Sequence, residues 1–133
     1  MSTLIVYRRG DLKDLSKLRF STGMSATRRT IEFNVVGAGH EFWLAVENDT
    51  IVGLAVLGSL STAQRTILYV QVSGSYVDRG IGSALLRAVI EYYPESDFSV
   101  IPSEGTEDFY GKLGFVKVNR WEMRRESSLP GGD

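Results

Sequence analysis

The chain contains no cysteine, which excludes disulfide cross-links, thiolate metal sites and a covalent acyl-cysteine mechanism together. It has a single histidine, His40, so a serine–histidine triad or a multi-histidine metal centre would rest on that residue alone. Long apolar runs are missing too. None approaches the roughly 20 residues that span a bilayer, and the opening stretch from Met1 to Tyr7 is too short for a secretion signal. No membrane partner is expected, and the expected location is the cytoplasm. Excess charge of either sign is also lacking: the formal net charge is -1. Arg28-Arg29 and Arg124-Arg125 are local cationic points, not the broad basic field that nucleic acid requires. Internal repeats, low-complexity blocks and interdomain linkers are absent.

What is present is an ordinary globular composition, 43% hydrophobic and 23% charged, in a chain of 133 residues, the usual size of one domain. Residues 1–125 are expected to form it, and Glu126 to Asp133, with Pro130 and two glycines, read as a frayed tail. Leu4 to Tyr7 reads as a strand. Asp11 then stands at a helix N-cap, with Asp14 near the dipole and Leu12, Leu15 and Leu18 as the apolar stripe up to Gly23. Ser25 can cap a second helix running to about Val35. Phe42 to Val46 and Ile51 to Leu57 are strand-like runs around Asn48-Asp49, which favours a tight hairpin turn, and Thr66 to Val72 extends the meander. From Ile81 the period becomes helical through Leu85, Val89 and Tyr92 or Tyr93 until Pro94. Phe98 to Ile101 is a short strand, Glu104 to Leu113 a short helix ended by Gly114, and Phe115 to Arg124 a terminal strand or hairpin. The expected order is βααβββαβαβ(β), an α/β fold.

Between the strand ending at Val72 and the helix starting near Gly80, the loop from Ser73 to Arg79 leaves backbone N–H groups unpaired at a helix N-terminus, which attracts anions. Gly80 and Gly82 would let a phosphate approach the backbone closely. A dinucleotide fingerprint starting at Gly80 fails because Leu85 occupies its last glycine or alanine position, and a P-loop at Gly111-Lys112 fails because Leu113 follows and Thr106 replaces its first glycine. A pair of glycines alone is equally compatible with a tight turn and close helix packing.

The wider context is Val72-Ser73-Gly74-Ser75-Tyr76-Val77-Asp78-Arg79-Gly80-Ile81-Gly82-Ser83-Ala84-Leu85-Leu86, followed by Phe109-Tyr110-Gly111-Lys112-Leu113-Gly114-Phe115. Together these resemble the GNAT superfamily of N-acetyltransferases: the first looks like its Q/R-x-x-G-x-G/A acyl-coenzyme A motif, the second like its F-Y-x-K-L-G-F segment. The resemblance covers about residues 41 to 124 in detail. It departs at Val77, where the family usually has glutamine or arginine.

The resemblance implies a mixed, mostly antiparallel twisted sheet flanked by helices, with acetyl-coenzyme A as co-substrate and no metal. It also implies that Leu68 to Val72 splays away from Phe98 to Ile101, that main-chain groups of Val70 and Val72 meet the pantetheine arm, and that Val77, Asp78, Arg79, Gly80, Ile81, Gly82 and Ser83 hold the pyrophosphate. Ser103 lies where relatives contact pantetheine or a catalytic water, and Tyr110 where they protonate the leaving thiolate. An unperturbed alkylamine is only about one part in a thousand neutral at pH 7, so a base would help. The family's usual base positions carry Thr66 and Leu68, leaving Glu104, Glu107, Glu47 or a water chain. For the acceptor, Met24, Trp43 and Trp121 could line an apolar slot, with Glu32 or Glu47 holding the amine; core packing explains either tryptophan equally well. The implied activity is acetyl transfer to an amine of a small molecule or peptide. The alternative is a catalytically degenerate acetyl-coenzyme A sensor. The terminal strand is a candidate edge for a homodimer.

Overall fold

The computed structural model describes residues 4–59 and 61–128. Its centre is the hairpin expected around Asn48-Asp49: strands β3 (Glu41–Glu47) and β4 (Thr50–Ser59). Both turn residues take the left-handed conformation, with φ of 48° and 61°, which matches the turn to the natural strand twist. Nearly every side chain of these strands is buried, because helices cover both faces of the sheet. Phe42, Leu44, Leu54 and Val56 face one helical layer, while Trp43, Ala55 and Leu57 face the other.

The remaining strands are β1 (Val6–Arg9), β2 (Arg19–Phe20), β5 (Gln64–Val72), β6 (Asp97–Val100), β7 (Val116–Lys117) and β8 (Met123–Arg125). The sheet runs β1-β3-β4-β5-β6-β8-β7 and is antiparallel except at β5–β6 and at a short parallel pairing of β2 with β4. It is flanked by α1 (Leu12–Leu15) and α2 (Arg28–Ile31) on one side and by α3 (Ile81–Tyr92) and α4 (Glu107–Gly111) on the other. Leu85, Leu86 and Val89 of α3 are fully buried; truncating a buried leucine of this kind to alanine costs about 2–5 kcal/mol.

Two expectations for the first 40 residues need correction. Asp11 does cap α1, through a reciprocal box with Asp14, but the helix is a single turn and Leu18 lies outside it. The chain instead extends into β2 because β5 ends opposite Gly53, leaving the start of β4 bare on that side. Arg19 and Ser21 donate N–H bonds to Asp49 and Ile51 there, both 2.9 Å. The second helix is capped by Thr27, not Ser25, with Thr30 completing the box. Ser25 is held elsewhere, accepting from the Gln71 amide at 2.8 Å. After Ile31 the helix widens into a π turn, Glu32–Val36, closed by Gly37 N–H to Glu32 C=O at 2.9 Å.

At the other end of the chain, Ser127 N–H donates to Asp97 Oδ1 at 2.7 Å and Ser128 N–H to Pro94 C=O at 2.9 Å. The start of the expected tail therefore follows β8 back along the sheet; residues 129–133 lie outside the described ones. No helix among the described residues is long and apolar enough to cross a membrane.

Candidate active site

Strand β5 has two different lives along its length. Gln64 to Ile67 pair in parallel with Asp97 to Val100 of β6, but beyond Ile67 no strand among the described residues pairs with that side of β5. At the same place the register against β4 slips, Tyr69 standing opposite Val56 and Ile67 opposite Leu57, so Leu68 is an extra residue in a bulge. A bulge bends and twists its strand, and here the bend opens a fork between β5 and β6. The fork leads into a cleft of about 490 Å³. Val70 and Val72 line one wall; Ser103, Phe109 and Tyr110 line the other.

The end of the cleft is built by the loop before α3. Ser73 anchors it: fully buried, it donates N–H to Val52 C=O at 2.9 Å, and its hydroxyl meets Ser21 Oγ at 2.8 Å and Thr22 C=O at 3.0 Å. A single 3-10 turn, Gly74–Tyr76, follows. Asp78 and Gly80 then take positive φ of 64° and 73°, and Gly80 becomes the N-cap of α3 without a side-chain cap. The first intrahelical bond is Ala84 N–H to Gly80 C=O at 3.0 Å, so the N–H groups of Ile81, Gly82 and Ser83 have no partner within the helix. The first turn carries no acidic residue. The two glycines differ in purpose: a Cβ on Gly80 would meet nothing within 4 Å, so its need is the left-handed backbone, whereas a Cβ on Gly82 would lie 3.4 Å from the Phe109 ring and 3.6 Å from Val72.

These features agree with an independent comparison of sequences. Residues 12–127 match the model of the acetyltransferase (GNAT) domain. The chain belongs to the GNAT acetyltransferase family. Solved structures agree in fold. The ribosomal-protein-S18-alanine N-acetyltransferase of Escherichia coli is 17% identical, with a TM-score of 0.70 over 96% of this chain and 97% of that one. A GNAT-family acetyltransferase of Staphylococcus aureus Mu50 is 19% identical, TM-score 0.66, over 92% and 98%. One of Elizabethkingia anophelis, with acetyl-CoA bound, is 17% identical, TM-score 0.64, over 92% and 97%. No curated protein matches the chain in sequence.

Within this GNAT domain the fork brings together Val70, Val72, Val77, Asp78, Gly80, Ile81, Gly82, Ser83, Ser103 and Tyr110 on one cleft wall or another. Arg79 is the exception: its guanidinium lies 4.7 Å from the Tyr76 ring centroid. Tyr110 sits on α4, 8% exposed, with ring centroids of Phe109 and Phe115 at 5.0 and 5.6 Å in edge-on contact. Burial pushes its phenol above the ordinary value of 10.0, which keeps it protonated. Its hydroxyl has no hydrogen-bond partner among the described residues.

Of the candidate bases, Glu47 accepts from the Tyr76 hydroxyl at 2.7 Å and Glu107 lies 3.5 Å from Lys117. Neither lines the cleft, nor does Glu104; among the described residues the carboxylate that does is Asp78, at the loop end. Trp43 belongs to the core, 3% exposed, with its indole N–H donated to Glu41 at 3.0 Å. Trp121 is exposed beneath Arg120, whose guanidinium is 5.6 Å from the indole ring. Sequence reasoning missed Tyr76, whose ring lines the cleft and carries Arg79, and Tyr69, which with Leu68 borders both this cleft and a second one on the α2 face. Alternation along β5 could have placed Tyr69 opposite Val70, but the bulge that swings Leu68 outward leaves no mark in composition.

Proposed function

We propose that the protein transfers the acetyl group of acetyl-coenzyme A to the nitrogen of an amine. The observation that carries this reading is the fork: one strand edge left unpaired inside a sheet, leading to an uncapped helix N-terminus. The residues fit the co-substrate at both ends. The free edge of β5 from Leu68 offers main-chain groups to an extended amide-bearing arm, with Val70 and Val72 nearest the cleft. The unpartnered N–H groups of Ile81, Gly82 and Ser83, with the α3 dipole and the loop from Val77, suit a pyrophosphate. Arg79 adds positive charge beside that loop, and Ser103 faces the arm from the opposite wall. A GNAT relative with acetyl-CoA bound supports the assignment.

Bound acetyl-coenzyme A supplies an activated acyl carbon: the amine nitrogen bonds to the thioester carbonyl carbon, the C–S bond breaks, the thiolate takes a proton, and the nitrogen releases one to water, from which the proton donor is restored. Tyr110 is suited to give the thiolate its proton, because burial keeps the phenol protonated and no acceptor among the described residues competes for its hydrogen. The Val70 N–H is assigned to the thioester oxygen, where negative charge grows during attack.

A second reading is a coenzyme A-binding sensor without turnover, favoured by Val77 in place of the usual glutamine or arginine and by the lack of a base at Thr66 or Leu68. Thiol release from acetyl-coenzyme A across amino acids, polyamines, arylamines and peptides, run beside calorimetric binding, separates the two: binding with no release for any amine leaves only the sensor. The same reading takes residues 1–125 as one domain working in the cytoplasm, where acetyl-coenzyme A is available. It also allows a homodimer across the open β7 edge beside exposed Val116, to be checked by solution mass.

A further inference from the structure

The second cavity, about 440 Å³, lies on the opposite face of the sheet, between α2 with its π turn and strands β4 and β5. Its floor is apolar: Ile31, Val35, Leu54 and Val56, all nearly or fully buried. Its rim is polar, formed by the uncharged side chains of Ser25, Thr30 and Asn34 together with the imidazole of His40. Among the described residues, no aspartate, glutamate, lysine or arginine lines it. It adjoins the cofactor cleft: Leu68 and Tyr69 line both cavities, and both are large side chains left 48% and 40% exposed at the bulge. The polar end of the cavity lies at this junction. Gln71 Nε2 donates to Ser25 Oγ at 2.8 Å, and Ser25 Oγ lies 3.3 Å from the Tyr69 hydroxyl. Gln71 Oε1 in this network is buried with no donor. Gln71 does not itself line the cavity; its amide holds the Ser25 hydroxyl, which does. The Asn34 rim position is itself part of the π turn, an uncommon backbone form that recurs at functional sites.

We infer that this cavity binds the acceptor, and that the acceptor is a primary amine on an apolar body, bound uncharged, of the arylamine type. The inference rests on the acetyl-transfer reading above. An apolar floor rewards an apolar body. Neutral hydroxyls at the junction orient an NH₂ group but cannot compensate an ammonium, whose burial without a counter-charge is strongly unfavourable. Desolvation by such walls favours the neutral amine, which is the nucleophilic form. The cavity thus performs the task for which no carboxylate is provided in the fork, and it disfavours polyamines and lysine side chains for the same reason.

The test uses two amines of nearly equal shape, para-toluidine and benzylamine, of which the second is protonated at neutral pH, with spermidine and an alanine-initial peptide as further arms. Binding to the full chain with coenzyme A present is measured by calorimetry, and thiol release from acetyl-coenzyme A in parallel. Para-toluidine is expected to bind at least tenfold more tightly than any of the other three. Asn34→Trp, on the exposed rim, should weaken para-toluidine at least tenfold while leaving coenzyme A affinity unchanged; Thr30→Phe serves if the first variant melts early. Equal or tighter binding of benzylamine, spermidine or the peptide overturns the inference, as does para-toluidine binding indifferent to the rim variants. Para-toluidine binding at the rim without thiol release upholds the cavity and sinks the transfer reading, whereas release driven by spermidine does the reverse.

Discussion

Replacing Tyr110 with phenylalanine removes one oxygen and nothing else that the fold uses. The ring keeps its edge-on contacts with Phe109 and Phe115, 5.0 and 5.6 Å between centroids, and no protein group loses a hydrogen bond. Stability should therefore change by no more than about 0.5 kcal/mol, the range of substitutions that break no specific feature; truncation to alanine would instead cost about 3–5 kcal/mol and confuse folding with chemistry. Acetyl-coenzyme A affinity should stay within about twofold, since the N–H groups and strand edge assigned to it are untouched. If the phenol protonates the departing thiolate, turnover should fall at least tenfold and by as much as about 10²–10⁴, the usual contribution of a positioned acid, which is about 1.4–5.4 kcal/mol in activation free energy. The assay is thiol release at saturating donor and amine, with a thermal melt and calorimetry on the same preparation. Unchanged turnover at saturating donor, with affinity and melt also unchanged, would remove Tyr110 from the mechanism.

Three other outcomes follow from the geometry. Gly82→Val places methyl groups beyond a Cβ already 3.4 Å from the Phe109 ring, so it should cost about 1–3 kcal/mol and weaken coenzyme A binding at least tenfold by calorimetry; undiminished affinity would falsify the phosphate site. Gly80→Ala meets no atom within 4 Å but must hold φ of 73°, and should lower stability in denaturant titration by about 1–2 kcal/mol. Tyr93 is pushed up from 10.0 to about 12 by burial, then by its hydrogen bond to Glu41. Its folded form keeps the proton longer than the unfolded form, so the stabilisation is complete below about pH 10 and is lost as pH rises toward about 12, a decline of roughly 2–3 kcal/mol. Urea melts across that range should slope less steeply in Tyr93→Phe.

The parts of the fold that could be read from the sequence are those whose signal is local and long. Asn48-Asp49 between two apolar runs fixes a hairpin, and the switch of period at Ile81 fixes α3 to within a residue or so. Strand β2 could not be read because two residues carry no period; it exists only because the start of β4 lacks a neighbour. The cap of α2 moved from Ser25 to Thr27 because a serine hydroxyl can serve either a helix or a distant glutamine, and only the tertiary structure decides. In the site, the loop from Ser73 to Gly82 was visible as a strand-to-helix junction with two glycines. The division of labour between those glycines was not, since it depends on Phe109 approaching from another element. The cavity on the α2 face was invisible for the same reason: Ser25, Asn34, His40 and Tyr69 are far apart in the chain and share no pattern.

The fork between β5 and β6 ties the stability of the fold to the concentration of its ligand. A sheet normally satisfies its own strand edges, and one that leaves an interior edge open depends on water or a guest to complete it. Any molecule that binds this edge only in the folded state adds stability that grows with the logarithm of its concentration, about 2.7 kcal/mol at a hundredfold excess over its dissociation constant. The melting temperature of this domain is then a property of the metabolic state around it, and a fall in the supply of its guest would be felt first as a softer protein.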